Sequence, residues 1–352
     1  MKKDSTSENS EIRDPSELAF QFQALAALDP DLRWHVRPSH DLQDAGSVEL
    51  ELDGRRVAFR PFYVLKPSVP WLEKLEFVAE DPPALIVTPE LSARALAICK
   101  AQGLAATDLN GRTWLRAPGL LVDRPPLPGR SFRYELEPRN IFVGKSARIL
   151  RCLLTDRERC WTQAEIVPRT GASVGLVSRI VQHLIRQGFV EKTRAREFRL
   201  RDWHGLLTEW AESDRFSKRT HATHYAGFLG SPQELAQRLQ QWAVAEKVPL
   251  AFTQWIAAWV RHPYTEPVVC SAYVERLPDA AVLEQWGLRR VTEGGKLWLH
   301  VPEDAGILTE TQTSGGLTLV TDAQIYLDLQ RTGLRGPEAA SALAEWEGFC
   351  RP

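Results

Sequence analysis

Apolar and polar positions change their period several times along the chain, and the changes mark three blocks. In the first, residues 15–137, SELAFQFQALAAL spaces its apolar residues as an amphipathic helix does. Val48–Leu52 and Arg56–Val64 alternate with the period of two expected of half-buried strands. Asp53-Gly54 between them is a hairpin-turn dipeptide. ALIVT reads as a short buried strand, Leu91–Gln102 as a helix closed by Gly103, and the runs around Asn110-Gly111 as another strand pair. This mixture predicts an α/β domain. DRPPLPGR (123–130) cannot continue a helix or a central strand and reads as a linker. The last block, residues 205–352, opens with a polar, His-containing joint, SDRFSKRTHATHY. Helices are expected over Pro232–Lys247 and Phe252–Arg261, strands in PVVCSAYVE, KLWLHV and LTLV, and helices in DAQIYLDLQ and PEAASALAEW. That block is expected to be α+β, so the whole chain is a multidomain α+β protein.

The middle block, residues 138–204, has the most ordered pattern. Ile149, Cys152 and Leu153 fall at helical spacing in KSARILRCLLT, and Trp161 stands where a short strand is expected. Thr162 and Glu165 have capping-box spacing at the start of a second helix, QAEIVPRT. Thr170-Gly171-Ala172 supplies a turn, Ser173 an N-cap, and a third helix runs over 173–187 to a stop at Gly188. Val177, Ile180, Val181, Leu184 and Ile185 make its apolar stripe. Gly175, Ser178, Arg179, Gln182 and Arg186 fall on the opposite side. FVEKTRAREFRLRDW then alternates as a two-stranded wing with Lys192, Arg194 and Arg196 at its tip.

Three helices, a tight turn and a basic hairpin in this order predict a winged helix-turn-helix. Arg and Gln side chains pair with guanine and adenine edges in the major groove, and Ser accepts either. Small residues at 175 and 178 let the helix backbone approach the groove. The wing cations suit phosphates or the minor groove. Ser173, Gly175, Ser178, Arg179, Gln182, Arg186, Lys192, Arg194 and Arg196 are therefore the candidate DNA-binding residues, with double-stranded DNA as partner. A homodimer is expected because one such domain reads few base pairs.

Charge agrees with this placement. From Arg139 to Arg201 there are twelve Arg and two Lys against one Asp and four Glu, a net of +9 within a chain of formal charge −1, so the rest carries −10. The five cysteines form no CxxC pair, which fits reduced thiols and argues against a disulfide framework or a structural zinc. No apolar run approaches the roughly 18 residues of a membrane span. The polar N-terminus, residues 1–14, reads as a disordered tail without a signal peptide, so a cytoplasmic protein is expected. No cofactor or metal is expected: His221 and His224 have no ligand partners nearby in sequence, and Gly294-Gly295-Lys296 lacks the rest of a phosphate loop.

GKSARILRCLL, the Trp, and GASVGLVSRIVQHLIRQGFVEK together resemble the winged helix of bacterial regulators grouped with the AbiEi-type antitoxins of type IV toxin–antitoxin systems. TPELSARALAICKAQGLAATDLNGRTWLRAPGLLV resembles the segment before that winged helix, and LTLVTDAQIYLDLQRTGLRGPEAASAL its C-terminal segment. The resemblance implies an autoregulating repressor and admits a toxin protein as partner. By the same resemblance the C-terminal block is expected to be nucleotidyltransferase-like, but without the catalytic carboxylate pair. The N-terminal block looks like a restriction-endonuclease fold in degenerate form. Asp53 and Lys66 fill two roles of a nuclease site, yet Val64 stands where the second carboxylate belongs. The expectation is a non-enzymatic regulator, and the alternative is a metal-dependent nucleic-acid-processing enzyme.

Overall fold

The computed structural model describes residues 12, 14–37, 46–75, 81–132, 138, 140–227 and 230–351. Most of the expected N-terminal tail, and Arg139, lie outside the described residues. The protein is a mixed α+β molecule with the helix-turn-helix in the middle of the chain. It divides into two units, residues 1–137 together with 183–188, and residues 138–182 together with 189–352.

In the first unit Asp14 caps α1 (Pro15–Ala26) by accepting from the backbone N–H groups of Ser16 and Glu17. A seven-stranded sheet follows in chain order: β1 (Arg33–Arg37), β2 (Ser47–Leu52), β3 (Arg55–Tyr63), β4 (Ala84–Thr88), β5 (Ala105–Asp108), β6 (Thr113–Ala117) and β7 (Leu120–Arg124). Pairing is antiparallel from β1 to β3, parallel from β3 to β5 and antiparallel again to β7. Leu18 and Phe22 of α1 share a core with Val48, Leu50 and Phe59. α2 (Val69–Leu72) and α3 (Ala93–Gln102) lie in a second core through Leu72, Ala95 and Cys99. β4 carries a continuous apolar run because Leu85 and Val87 enter the first core while Ile86 enters the second.

Two details of this unit differ from the sequence expectation, and a proline inside β3 is accommodated by its pairing. β1, the run RWHVR, was not anticipated; it buries Trp34 and Val36 between exposed residues. Pro61 lies inside β3. The Arg60 and Val64 N–H groups face β4, bonding to the carbonyls of Pro83 and Val87. The nitrogen at 61 therefore faces the opposite edge, where pairing with β2 has already ended at Phe59, and the missing N–H leaves no ladder bond unmade. Asp123 and Arg124, expected in a linker, belong to β7. Arg124 gives two guanidinium nitrogens to the Asp29 carboxylate at 2.7 and 2.6 Å.

The second unit begins with α4 (Gly144–Leu153), β8 (Trp161–Thr162), α5 (Gln163–Thr170), α6 (Val174–Arg186, whose last four residues count with the first unit), β9 (Val190–Lys192) and β10 (Glu197–Leu200). It continues through α7 (Trp203–Ser213), α8 (Phe216–Arg219), β11 (Thr220–Gly227), α9 (Pro232–Ala245), β12 (Leu250–Thr253), α10 (Gln254–Arg261) and β13 (Cys270–Val274). The rest is α11 (Ala280–Gln285), β14 (Leu288–Val291), β15 (Leu297–Pro302), a 3-10 turn (Ala305–Leu308), β16 (Thr311–Ser314), β17 (Leu317–Val320), α12 (Asp322–Leu329) and α13 (Gly336–Glu345). A seven-stranded mixed sheet runs β14-β11-β15-β13-β12-β17-β16. The expected polar joint is largely β11, an inner strand whose His224 stacks on Trp298 of β15 at 5.0 Å. The helix expected from Phe252 starts at Gln254, because Leu250–Thr253 is fully buried and pairs as β12.

The Asp29–Arg124 pair yields a test. Burial alone raises the Asp29 pKa, but Arg124 and the Leu32 and Asp31 N–H groups outweigh it and hold the carboxyl below its ordinary value. Arg124→Ala strands a buried carboxylate and is expected to cost about 3 kcal/mol in urea unfolding at pH 7. With the folded pKa below the unfolded one, that difference is full above pH ~4 and shrinks as pH falls through the folded value. A difference independent of pH between 7 and 2 contradicts the assignment.

Candidate nucleic-acid interface

The helix-turn-helix is built from local signals that act as the residue types require. Ile149, Cys152 and Leu153 on α4 are fully buried, and α4 packs on α5. Glu165 accepts from the Thr162 backbone N–H at 2.8 Å, closing the capping box of α5. Gly171 ends α5 with φ of 62°, the left-handed region, and its N–H bonds to the Val167 carbonyl at 3.1 Å. Ser173 Oγ then accepts from the Leu176 N–H at 3.3 Å at the start of α6. Gly188, φ 76°, follows the end of α6. Trp161 is fully buried on β8, which pairs with β10, and β10 pairs with β9 to make the wing sheet.

The two faces of α6 differ in burial most clearly over its N-terminal half. Val177, Ile180, Val181 and Leu184 are buried and Ile185 is half-buried. Ser173, Gly175 and Arg179 are exposed, whereas Ser178, Gln182 and Arg186 are half-buried. The N-terminal half of α6 is thus open at Ser173, Gly175 and Arg179. On the wing Lys192, Arg194 and Arg196 are all exposed. Arg194 has a loose 3.8 Å approach to Glu197, both well solvated, a geometry that contributes little. Arg199, outside the predicted set, is bound across the strands to Glu191 at 2.7 Å.

The positive charge of the segment is less available than its count suggests. Arg148 donates to Asp304, with Nε at 2.9 Å, and Arg151 approaches the same carboxylate at 3.5 Å. Arg169 binds Glu310 through two nitrogens at 3.0 and 2.6 Å, and Arg159 binds Glu165 at 2.8 Å. Cations on α4 and α5 thus meet acids of the C-terminal block. Arg179, Lys192 and Arg196 carry no such pair among the described residues.

Asp53 and Lys66 do not assemble into a nuclease site, and Asp304 and Asp328 of the C-terminal block are engaged by other side chains. Asp53 sits in the turn before β3 and Lys66 follows its end, so a nine-residue strand, about 30 Å at ~3.3 Å per residue, separates them. One metal cannot bridge that span. Asp304 is engaged by Arg148 and Arg151, while Asp328 accepts from Arg219, Thr253 and Gln324. Carboxylates neutralised in this way are poor magnesium ligands. Asp108 serves its turn: its carboxylate accepts from the Leu91 and Arg112 N–H groups, each at 2.9 Å, and burial pushes its pKa up to about 6. His221 pairs with Glu303 at 2.6 Å on the surface. Trp242 and Trp255 are buried on α9 and α10. Among the described residues no cluster of three or more His, Cys, Asp or Glu is arranged for a metal, and no helix is long and apolar enough to cross a membrane.

Residues 143–194 match the family model of the IclR helix-turn-helix domain, from the N-cap of α4 to the wing tip. The match supports a bacterial winged-helix, DNA-binding transcriptional regulator. No characterised protein and no solved structure gives a significant match to the chain.

Gly171→Ala tests whether the turn sets the site. A Cβ there meets only Arg148 Nη1 at 3.9 Å, ordinary contact, so any penalty comes from φ. The expected cost is about 1 kcal/mol in unfolding free energy. A neutral or stabilising substitution argues against the left-handed turn.

Proposed function

We propose that the protein is a sequence-specific repressor of its own operon, acting in the cytoplasm as a homodimer and by binding, not catalysis. The observation that carries this reading is the exposed Arg179 on a helix held by a glycine turn, within the segment that matches a DNA-binding domain. In this reading α6 enters the major groove, with Gly175 and Ser178 allowing close approach and Arg179 and Gln182 meeting base edges. Lys192, Arg194 and Arg196 meet phosphates or the minor groove, and Ser173 and Arg186 flank the contact from the two ends of the helix. Two-fold symmetry doubles the contact set and predicts an operator with inverted half-sites. The AbiEi-type resemblance adds a toxin encoded nearby as the class of protein partner.

The first test is an electrophoretic shift on the chain's own upstream DNA with random competitor and varied salt. A retarded band that survives competitor and weakens with salt supports the reading; a band abolished by random DNA removes sequence specificity. Arg179→Ala is expected to lose about 1–3 kcal/mol of discrimination between operator and single-base variants. Arg194→Ala is expected to weaken all sequences alike and to reduce the salt slope by about 1. Equal loss on specific and random DNA in both variants contradicts the division of labour.

A further inference from the structure

A cavity of about 430 Å³ lies within the second unit, between the start of α4 and the elements around α7, α8 and α12. Its volume falls in the range of small-molecule sites. Phe142 and Trp210, stacked at 5.9 Å, form part of an apolar wall with Ile307 and Leu327. Four cations face the space: Arg151, Arg215, Lys218 and Arg219. Three acids, Asp214, Glu303 and Asp304, stand against them, so the lining carries one surplus positive charge.

The surplus is not evenly placed. Arg219 is satisfied by Asp214, Asp328 and Tyr273. Arg151 is not. It is 4 % exposed, and its guanidinium reaches Gln324 at 3.3 Å and Asp304 at 3.5 Å, both long. Its Nε is buried with no hydrogen-bond partner. Burial pushes its pKa down to about 10, with Asp304 opposing, as expected of an under-neutralised buried cation. The N-terminus of the ten-residue α4 borders the same cavity through Val143 and Gly144, and Val143 supplies no side-chain cap to its free N–H groups. Lys218 and Arg215 are exposed at the rim, where Arg215 donates only to backbone carbonyls.

We propose that this cavity is an effector site for a small organic monocarboxylate with an apolar body, read out as a change in DNA affinity. The carboxylate sits between Arg151 and the α4 N-terminus, Lys218 closes over it, and the apolar body lies against Trp210 and Leu327. The link to DNA binding is Asp304. Arg148 and Arg151 share this carboxylate, and Arg148 Nη1 also reaches the Thr170 carbonyl at 3.5 Å, in the turn that precedes α6. A ligand that neutralises Arg151 leaves Asp304 to Arg148, tightening the hold on that turn. Occupancy therefore raises DNA affinity. This second part rests on the DNA-binding reading above; the site itself does not.

Calorimetry on the full chain without DNA tests the site, using hexanoate and indole-3-acetate as probes and hexanamide as the neutral analogue. Both carboxylates are expected to bind with submillimolar Kd and hexanamide at least tenfold more weakly. Arg151→Gln is expected to weaken hexanoate at least tenfold. Lys218→Ala, on the solvated rim, is expected to weaken it three- to tenfold and carries the test alone if the buried variant does not fold. Absence of heat at millimolar probe, equal binding of hexanamide, or native-like binding by the variants overturns the site. Saturating hexanoate is then expected to raise operator affinity at least fivefold, within the usual span of coupling between sites. Unchanged or lowered affinity overturns the effector role, whereas a protein that binds hexanoate but no DNA overturns only the reading of function.

Discussion

Asp304 is a single carboxylate asked to serve two guanidinium groups, Arg148 and Arg151, from successive turns of α4. Burial raises its pKa, yet the Arg148 hydrogen bond and the Gly306 N–H bring the net value below the ordinary one, so the acid stays ionised where it lies. A charge removed from water is tolerated only when paired, and loss of a partner leaves the remainder stranded. This pairing fixes α4 against the turn that follows β15. α4 in turn packs on α5, and Arg148 reaches the carbonyl at the end of α5. The geometry of the helix-turn-helix is thus tied to a contact 156 residues away in sequence.

The same logic recurs around α12, whose two acids are both buried. Asp322 takes two bonds from Arg261 at 2.8 and 2.9 Å and one from the Cys350 N–H. Asp328 collects Arg219, Thr253 and Gln324. Arginine suits such positions because its planar fork satisfies a carboxylate with two parallel bonds. Many acids of the C-terminal block are therefore paired inside the fold. Their partners are cations of α4, α5, α8 and α10. The exposed cations left on α6 and the wing then define the basic surface more sharply than the raw count of Arg and Lys.

Local chemistry was legible in the sequence, and pairing over long distances was not. The winged helix was readable because each of its signals acts within a few residues: Thr162 with Glu165, Gly171 in the turn, Ser173 at the cap, and the apolar stripe of α6. β4 was readable because continuous apolarity marks a strand covered on both faces. β1 and β12 escaped because five- and four-residue strands leave little periodicity, and THATHY looked like a joint because β11 carries polar residues into an inner position. No local pattern distinguishes Arg179, open to solvent, from Arg148, held by an acid more than 150 residues away. For the same reason Arg151 was invisible as a pocket residue: only the fold shows that its neighbours leave Nε without a partner.

That contrast bears on how a regulator of this kind can be tuned. Contacts at the end of a recognition helix alter which sequence is read, but they do not make reading conditional. Conditionality requires an interaction that is incompletely satisfied in one state and better satisfied in another. The cap of α5 and the turn after it offer no such point, since they close within themselves. The shared carboxylate is different. Two arginines compete for Asp304, and only one of them can be bound at short range in this structure. Any change in the demand of one is felt by the other, one turn along the same helix. A network that is strong in total yet divided between partners is the part of the fold best suited to carry a signal to the turn before α6.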